Sequence, residues 1–319
     1  MPLESRRRLG RSSLEVGPLA LGGNVFGWTA DAARSFELLD AFVEAGLNLV
    51  DTADAYSRWV PGHSGGESET VIGQWLAARG PSMRARVVIA SKVGLEMGPG
   101  EQGLSRAWIL RAVDRSLRRL QTDYIDLYQA HRDDAATPLE ETLRTFDELM
   151  RAGKVRAIGA SNYSAPRLAA ALRISAAEGL ARFESLQPPY NLVDRSTFEG
   201  ELASLCVREQ IGVIPYYALA SGFLTGKYRS AADAGKSPRG ARAQSMLDAR
   251  GLRILAALDT VAATTSATPA QVSLAWLLAR GVTAPIASAT SVPQLHELLG
   301  GTRLRLEHPM MEALDAASA

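Results

Sequence analysis

Cysteine and net charge are the two things this sequence has least of. Cys206 is the only cysteine in 319 residues, which excludes an internal disulfide and argues against a cysteine-based metal site. It lies in an apolar helical stretch and is predicted to be buried and inert. The 35 Lys and Arg residues nearly balance the 34 Asp and Glu residues, leaving a formal charge of +1. No overall attraction to nucleic acid or to an anionic membrane is expected, so any anion site must be local.

Long apolar runs are also missing. No stretch of about 18 uninterrupted apolar residues occurs. The basic start of the chain, MPLESRRRLGRSSLEVG, is not followed by the apolar region of a secretion signal. We therefore expect a cytoplasmic protein without a membrane segment. Hydrophobic residues make up 46% of the chain, which is enough for a large buried core.

Short apolar runs alternate with helical patterns throughout the chain. Such a run, bounded by polar loops, is typical of a buried parallel strand in a βα unit. Eight runs qualify: GPLALGG, NLVDTA, VVIASKV, YIDLYQAH, KVRAIGASN, FESLQ, GVIPYYAL and APIASA. Eight units without a composition shift predict an α/β fold, a single-domain (β/α)8 TIM barrel over residues 1–319. The long interval from Tyr216 to Ser288 predicts an extra loop and helix after the seventh strand, and the C-terminus is predicted to form a helical tail.

A doubly wound sheet is the alternative architecture. Its dinucleotide-binding form requires G-x-G-x-x-G after the first strand, which LGGNVFG does not supply. The segment SGFLTGKY is close to a P-loop, but only three residues separate Gly222 from Gly226. Tyr228 also stands where a P-loop has the Ser or Thr that binds magnesium. The sequence therefore argues against nucleotide hydrolysis.

Titratable side chains follow three of the predicted strands. Asp51 lies near the end of the second strand and Tyr56 follows it, Lys92 lies near the end of the third and His131 ends the fourth. In a barrel these ends share one face, where the reacting groups lie. There the Lys92 ammonium is expected to lower the pKa of Tyr56, with Asp51 as its counter-charge. His131 would donate a hydrogen bond to a substrate oxygen.

The motifs around these residues resemble the aldo-keto reductase superfamily, and the resemblance covers nearly the whole chain. They are, in order, EAGLNLVDTADAY, SKV, LYQAH, GKVRAIGASN, SLQPPYNL and PYYALASGFLTGKY. GASNY and LTGKY are closer to the bacterial, potassium-channel β-subunit-like branch than to aldose reductase. The resemblance implies NADP(H)-dependent reduction of an aldehyde or ketone, with Tyr56 protonating the forming alkoxide. It also implies that Lys92 and Asp51 tune this phenol and that His131 orients the carbonyl.

The resemblance further implies a set of cofactor-binding residues. Ser161, Asn162 and Gln187 match residues that hydrogen-bond the nicotinamide carboxamide. Tyr216 matches the aromatic residue that stacks on the nicotinamide ring. The remaining matches are Leu219, Ser221, Gly222, Leu224, Lys227, Arg229, Ser288 and Gln294.

A basic loop follows the seventh predicted strand. From Lys227 to Arg242 it holds five Lys and Arg residues, including Lys236 and Arg239, against one acid. It is expected to close over a pyrophosphate.

The last strand departs from the aldose reductase pattern. Ser288, Gln294 and Leu298 stand where aldose reductase-like members have Lys, Arg and Asn, so the charges that clamp a 2′-phosphate are absent there. The β-subunit-like branch has Ser and Gln at the first two places. NADPH is therefore the predicted cofactor, with NADH as the alternative.

The substrate is predicted to be a small-molecule carbonyl compound. Its specificity is expected to depend on loops after strands one, two, four and seven, and on the C-terminal segment HPMMEALDAASA. The predicted pocket residues are Phe26, Trp28, Trp59 and Arg132. No coiled-coil heptad indicates an oligomeric state.

Two other functions stay open. A metal-dependent barrel hydrolase would use Asp51, Asp54, His131 and Asp133. The first strand lacks the H-x-H pair of such enzymes, so no metal site is predicted. The second alternative is a cofactor-binding regulatory or redox-sensing subunit with slow turnover.

Overall fold

Parallel strands form the centre of the computed structural model, which describes residues 6–238 and 240–319. In chain order the strands are β1 (Arg7–Arg8), β2 (Glu15–Val16), β3 (Ala20–Gly22), β4 (Leu49–Asp51), β5 (Val88–Val93), β6 (Ile125–Ala130), β7 (Val155–Ser161), β8 (Phe183–Gln187), β9 (Gly212–Val213) and β10 (Ile286–Ala287). From β3 to β9 each pairs in parallel with the next, and β10 pairs with β3. Backbone hydrogen bonds from Thr283 N to Val213 O (2.7 Å) and from Ile286 N to Pro215 O (2.9 Å) close the ring. The predicted (β/α)8 barrel is confirmed.

Helices surround this ring. They are α1 (Ala32–Glu44), α2 (Glu67–Arg79), α3 (Pro81–Arg84), α4 (Arg106–Leu120), α5 (Leu139–Arg151), α6 (Ala165–Glu178), α7 (Glu201–Glu209), α8 (Gly240–Gln244), α9 (Ala249–Thr265), α10 (Pro269–Ala279), α11 (Val292–Gly301) and α12 (His308–Ser318). Local sequence sets their ends: Ser105 caps α4 by accepting a hydrogen bond from Trp108 N, and left-handed Gly46 follows α1 at φ 89°. Within the described ranges, no helix combines the length and apolar character needed to cross a bilayer.

A hairpin that the sequence analysis did not predict covers the N-terminal end of the barrel. Its strands β1 and β2 pair in antiparallel fashion. Leu9 and Val16 are fully buried and pack against barrel residues that include Leu49. Strands of two residues are too short to show a period-two pattern, so the sequence carries no clear signal for them.

The connection from β9 to β10 is the longest one between barrel strands. It contains two 3-10 helices, Ala220–Thr225 and Ala231–Lys236, followed by α8 and α9 before α10. The predicted extra loop and helix are therefore confirmed. The predicted tail forms α12, which is tied to its neighbours by hydrogen bonds from Arg250 Nη2 to Ser318 O (2.5 Å) and from Trp276 Nε1 to Asp315 Oδ1 (3.0 Å).

Cys206 lies on α7 and is 2% exposed. Burial raises the pKa of its thiol to about 12. The predicted burial of Cys206 is confirmed, and because the thiolate is the reactive form of cysteine, the raised pKa disfavours its reaction at neutral pH.

Candidate active site

Four side chains from neighbouring strand ends meet at the carboxyl face of the barrel. Lys92 Nζ donates hydrogen bonds to Asp51 Oδ2 at 2.8 Å and to Tyr56 Oη at 2.9 Å. The Tyr56 hydroxyl donates to the same carboxylate oxygen at 3.0 Å. The ring centroids of Tyr56 and His131 lie 6.0 Å apart. The structure thus brings together the four residues that the strand-end pattern selected.

The local sequence explains this convergence. Successive residues of a strand face opposite sides of the sheet. On β5, Ser91 faces α2 and hydrogen-bonds Glu69 at 2.5 Å, so Lys92 faces the barrel interior. Asp51 is the last residue of β4, and Tyr56 lies in the loop that follows.

The ion pair at this point is removed from water. Lys92 has no exposed surface and Asp51 is 1% exposed, so either charge would be costly without the other. Burial lowers the pKa of Lys92, and the Asp51 carboxylate opposes that shift. The Thr52 carbonyl accepts a further hydrogen bond from Lys92 at 2.8 Å. These contacts hold the ammonium beside the Tyr56 hydroxyl.

The prediction for the acidity of Tyr56 was wrong. Burial raises the pKa of Tyr56 well above its ordinary value of about 10, and the Asp51 carboxylate raises it further. Together these effects outweigh the opposite effect of the Lys92 ammonium. Tyr56 is consequently a neutral phenol at physiological pH, and it keeps its proton until a stronger base accepts it.

His131 is also neutral at physiological pH. Burial lowers the pKa of His131 well below its ordinary value, and the charges of Lys92 and Arg132 lower it further. In the described part of the chain, its buried Nδ1 has no hydrogen-bond partner, while its carbonyl accepts from Asn162 Nδ2 at 2.9 Å. A neutral imidazole still carries one N–H that can donate a hydrogen bond.

Acidification is expected to destabilise the protein through His131. The folded state keeps this imidazole neutral, whereas the unfolded chain protonates it at a pKa of about 6.5. Its contribution to stability is therefore full above that pH and decreases below it, by up to about 1.4 kcal/mol per pH unit. Urea unfolding between about pH 7.5 and 5.5 should show a larger loss for the unmodified protein than for His131→Gln. Equal losses in the two proteins would contradict a buried neutral imidazole.

A cavity of about 1360 Å³ extends from Asp51, Tyr56 and His131 to α11. It is larger than the roughly 300–1,000 Å³ of a pocket for one small ligand. Most of the predicted cofactor and substrate residues line it, namely Ser161, Asn162, Gln187, Tyr216, Leu219, Ser221, Gly222, Lys227, Ser288, Gln294, Trp28, Trp59 and Arg132. Among the described residues, none beyond Leu298 lines it, so the expected contribution of the C-terminal segment to this wall is not found.

Amide side chains form a network next to the ion pair. Gln187 Nε2 donates to Asp51 Oδ1 at 2.9 Å, and the Ser161 hydroxyl donates to Gln187 O at 2.8 Å. Asn162, in the left-handed region at φ 57°, accepts a hydrogen bond from the Tyr216 hydroxyl at 2.8 Å. The network orients amide groups of both donor and acceptor type at the cavity wall.

Comparison with known proteins shows which family this chain belongs to. A family model described as Aldo/keto reductase family matches residues 18–319. The chain belongs to the aldo/keto reductase family. It is 34% identical to Protein tas of Escherichia coli (strain K12), over 97% of this chain and 96% of that protein. It is also 34% identical to Uncharacterized oxidoreductase YrpG of Bacillus subtilis (strain 168), over 96% and 94%, and 32% identical to Aldo-keto reductase AFTS1 of Alternaria alternata, over 98% and 91%. The protein is accordingly an oxidoreductase.

The cavity of this aldo/keto reductase fits the nicotinamide cofactor that the family generally uses. Amide donors and acceptors suited to a carboxamide lie next to Asp51. The cationic side chains of Lys227 and Arg242 line the same cavity, where they suit phosphate groups. Ala220, Ser221 and Gly222 adopt positive φ angles of 46°, 57° and 92°, respectively. Positive φ is strained for Ala220 and Ser221, which are not glycine, and strained backbone is concentrated at binding and catalytic sites.

Four predicted site residues of this aldo/keto reductase do not line the cavity. Lys92 has no exposed surface and is linked to the cavity through its hydrogen bonds to Asp51 and Tyr56, which do line it. Phe26 and Leu224 are completely buried and pack in the hydrophobic core. Arg229 instead forms two hydrogen bonds with the Asp259 carboxylate, at 2.8 and 2.6 Å. Arg239 of the basic loop lies outside the described residues.

Sequence reasoning also missed residues that line the cavity. Asn24 lines the cavity two residues after the end of β3, and it accepts a hydrogen bond from the Ser288 hydroxyl at 2.7 Å. Its strand-end position was the signal that could have found it. Thr290 lines the cavity just before α11, and its hydroxyl donates a hydrogen bond to Gln294 Oε1 at 3.0 Å. Arg242 was predicted only as part of the basic loop, and its Nη1 donates to the Tyr217 hydroxyl at 3.0 Å.

Two residues of the hydrolase alternative, Asp51 and Asp133, form ion pairs with cationic side chains. In the described ranges, no three His, Cys, Asp or Glu side chains are grouped to hold a metal ion. The Asp51 carboxylate pairs with the Lys92 ammonium, and Asp133 Oδ2 lies 2.7 Å from Arg167 Nε. Membership of the aldo/keto reductase family replaces that alternative.

Proposed function

We propose that this chain reduces an aldehyde or ketone to an alcohol with NADPH, using Tyr56 as the proton donor. The observation that carries the proposal is the hydrogen bond from Lys92 Nζ to Tyr56 Oη, at 2.9 Å, at the inner end of the large cavity. When bound, the nicotinamide cofactor supplies the hydride that a carbonyl carbon accepts.

The chain would hold that cofactor along the cavity wall. Ser161, Asn162 and Gln187 supply hydrogen-bonding groups for the carboxamide, and Tyr216 supplies an aromatic face for the ring. The phosphates are assigned to the segment from Leu219 to Gly222 together with Lys227. Ser288 and Gln294 are assigned to the adenosine end.

Each residue of the ion-paired group has a separate role in protonating the substrate oxygen. The neutral imidazole of His131 donates a hydrogen bond that orients the carbonyl. As negative charge develops on the oxygen, Tyr56 transfers its phenolic proton to it, and the phenolate that remains is stabilised by the hydrogen bond from Lys92. Asp51 keeps that ammonium charged and in place despite its burial.

The raised pKa of Tyr56 suits this role. An alkoxide is a much stronger base than a phenolate, so the transfer is favourable even from a weakly acidic phenol. Because the donor form is the neutral phenol, activity is present below the pKa of Tyr56 and lost as pH rises through it. The raised value places that loss above about pH 10.

The first test is steady-state oxidation of NADPH with 4-nitrobenzaldehyde, run in parallel with NADH and with the Tyr56→Phe variant. Turnover that requires Tyr56 supports the proposal, and the ratio of kcat/KM for the two cofactors ranks them. Tight NADPH binding without turnover of any carbonyl compound would instead support a regulatory subunit. No binding of either cofactor would overturn the proposal.

The basic loop provides a separate prediction about cofactor affinity. Lys227→Met should raise the Kd of NADPH about three- to tenfold, because it removes a cation from the cavity wall. Arg229→Met serves as the matched control, since Asp259 already neutralises this guanidinium outside the cavity. Fluorescence titration at two salt concentrations measures both constants. An equal rise in the two variants would show that the loop acts only through its overall charge.

A further inference from the structure

Arg132 places a positive charge at the substrate end of the cavity. It follows His131 directly after β6, its side chain is exposed, and it lines the cavity. Within residues 6–238 and 240–319, no carboxylate forms an ion pair or hydrogen bond with it. Its charge nevertheless reaches the active site, because it contributes to lowering the pKa of His131, after burial and Lys92.

The two acids that follow Arg132 in the sequence are bound to other groups. Asp133 forms two hydrogen bonds with Arg167, at 2.7 and 2.8 Å. Asp134 feels the charge of Arg132, but its oxygens accept hydrogen bonds from Leu104 N (2.7 Å), Thr137 Oγ1 (2.7 Å) and Ala136 N (3.0 Å). The run His-Arg-Asp-Asp therefore presents a cation to the cavity, although its acids outnumber its arginine.

Arg58 also lines the cavity, but its charge is neutralised by a neighbouring carboxylate. Its Nη2 lies 3.2 Å from Glu96 Oε1, and both residues line the cavity. This pair adds no net charge to the substrate end. The uncompensated charge there comes from Arg132.

Aromatic side chains flank the site of proton transfer. Trp59 is 50% exposed, and its ring centroid lies 6.1 Å from that of Tyr56 and 5.6 Å from that of Trp28. A carbonyl held by Tyr56 and His131 thus has an aromatic surface beside it, and Arg132, the residue after His131, lines the same cavity. An exposed tryptophan and an unpaired guanidinium together suit a ligand with an apolar body and an anionic end.

We propose that the substrate carries a carboxylate or similar anion in addition to its carbonyl, and that Arg132 binds this anion. A guanidinium matches a carboxylate with two parallel hydrogen bonds, which gives both affinity and orientation. The apolar body of the substrate contacts Trp59. This inference rests on the carbonyl reduction proposed above and specifies the class of substrate.

The test compares 4-carboxybenzaldehyde with its uncharged methyl ester. The measured quantity is the ratio of their kcat/KM values, and comparing this ratio between variants cancels the intrinsic reactivity of the two aldehydes. Arg132→Gln should lower the ratio about tenfold, as expected for a charge-assisted pair at a partly exposed site. Arg132→Lys should restore part of it, because the charge returns without the planar fork.

Arg86→Gln is the matched control. Arg86 is exposed just before β5, at the opposite face of the barrel, so its removal changes the overall charge equally without altering the cavity. It should leave the ratio within about twofold, since distant surface charges are screened. The inference would be overturned if Arg132→Gln left the ratio of kcat/KM values unchanged. It would also be overturned if Arg86→Gln lowered that ratio as strongly as Arg132→Gln does.

A binding measurement separates this inference from the proposed function. Benzoate and benzamide are titrated into the protein, and the fluorescence of its tryptophans reports their Kd values. The preference for benzoate should be lost in Arg132→Gln and retained in Arg86→Gln. If neither aldehyde is reduced but this result holds, the anion site stands and the reductase proposal fails. If the unmodified protein, Arg132→Gln and Arg86→Gln all show the same preference for benzoate over benzamide, the anion site is overturned, even if both aldehydes are reduced.

Discussion

Replacing Tyr56 by phenylalanine is expected to lower kcat for carbonyl reduction by about 10²- to 10⁴-fold, because only the proton donor is removed. The Kd of NADPH should stay within about twofold, since Tyr56 is assigned to the substrate oxygen and not to the cofactor. Stopped-flow measurement of a single turnover isolates the chemical step from cofactor release. Unchanged kcat in this variant would contradict the role assigned to Tyr56.

Tyr217→Phe is the control for that experiment. Tyr217 is a second phenol in the cavity, but its hydroxyl accepts a hydrogen bond from Arg242 instead of lying beside Lys92. Its loss should reduce kcat by less than about tenfold. A comparable loss in both variants would show that the effect comes from the cavity as a whole.

Lys92→Met is expected to affect both activity and stability. It removes the hydrogen bond that stabilises the Tyr56 phenolate, which should lower kcat/KM by about 10²- to 10³-fold. It also leaves the buried Asp51 carboxylate without its cation, which should lower the free energy of unfolding by about 3–5 kcal/mol. Steady-state kinetics and urea unfolding measure the two effects.

The double variant Asp51→Asn with Lys92→Met separates those two effects. Removing both members of a buried ion pair costs far less stability than removing one, so unfolding should return to within about 2 kcal/mol of the unmodified protein. The activity should stay low, because no ammonium faces the phenol. Recovery of activity together with stability would contradict a chemical role for Lys92.

The barrel and its four-residue site could be predicted because their signals are local. Strand and helix periodicity gave the order of the eight units, and parallel order places all strand ends on one face. Asp51, Lys92 and His131 could therefore be grouped without knowing a single distance. The hairpin of Arg7–Arg8 and Glu15–Val16 escaped the same reasoning because its strands are too short to be periodic.

Electrostatic balance was the part that local reasoning misjudged. The sequence analysis considered the pair Lys92 and Tyr56 and expected a lowered pKa for the phenol. The fold adds burial and brings the Asp51 carboxylate within 3.0 Å of Tyr56, and these raise the pKa of Tyr56 instead. A pKa depends on every charge and on the access of water, and both are set in three dimensions.

The sequence by itself determined the fold class, the face that carries the site and the chemical types gathered there, since these depend on periodicity and residue identity. Only the tertiary structure decided which charges are free. Arg229 and Arg132 look alike in sequence, yet Arg229 is neutralised by Asp259, whereas Arg132 lines the cavity. Ion pairs join residues far apart along the chain, so the partner of each arginine is set by packing and not by its neighbours in sequence.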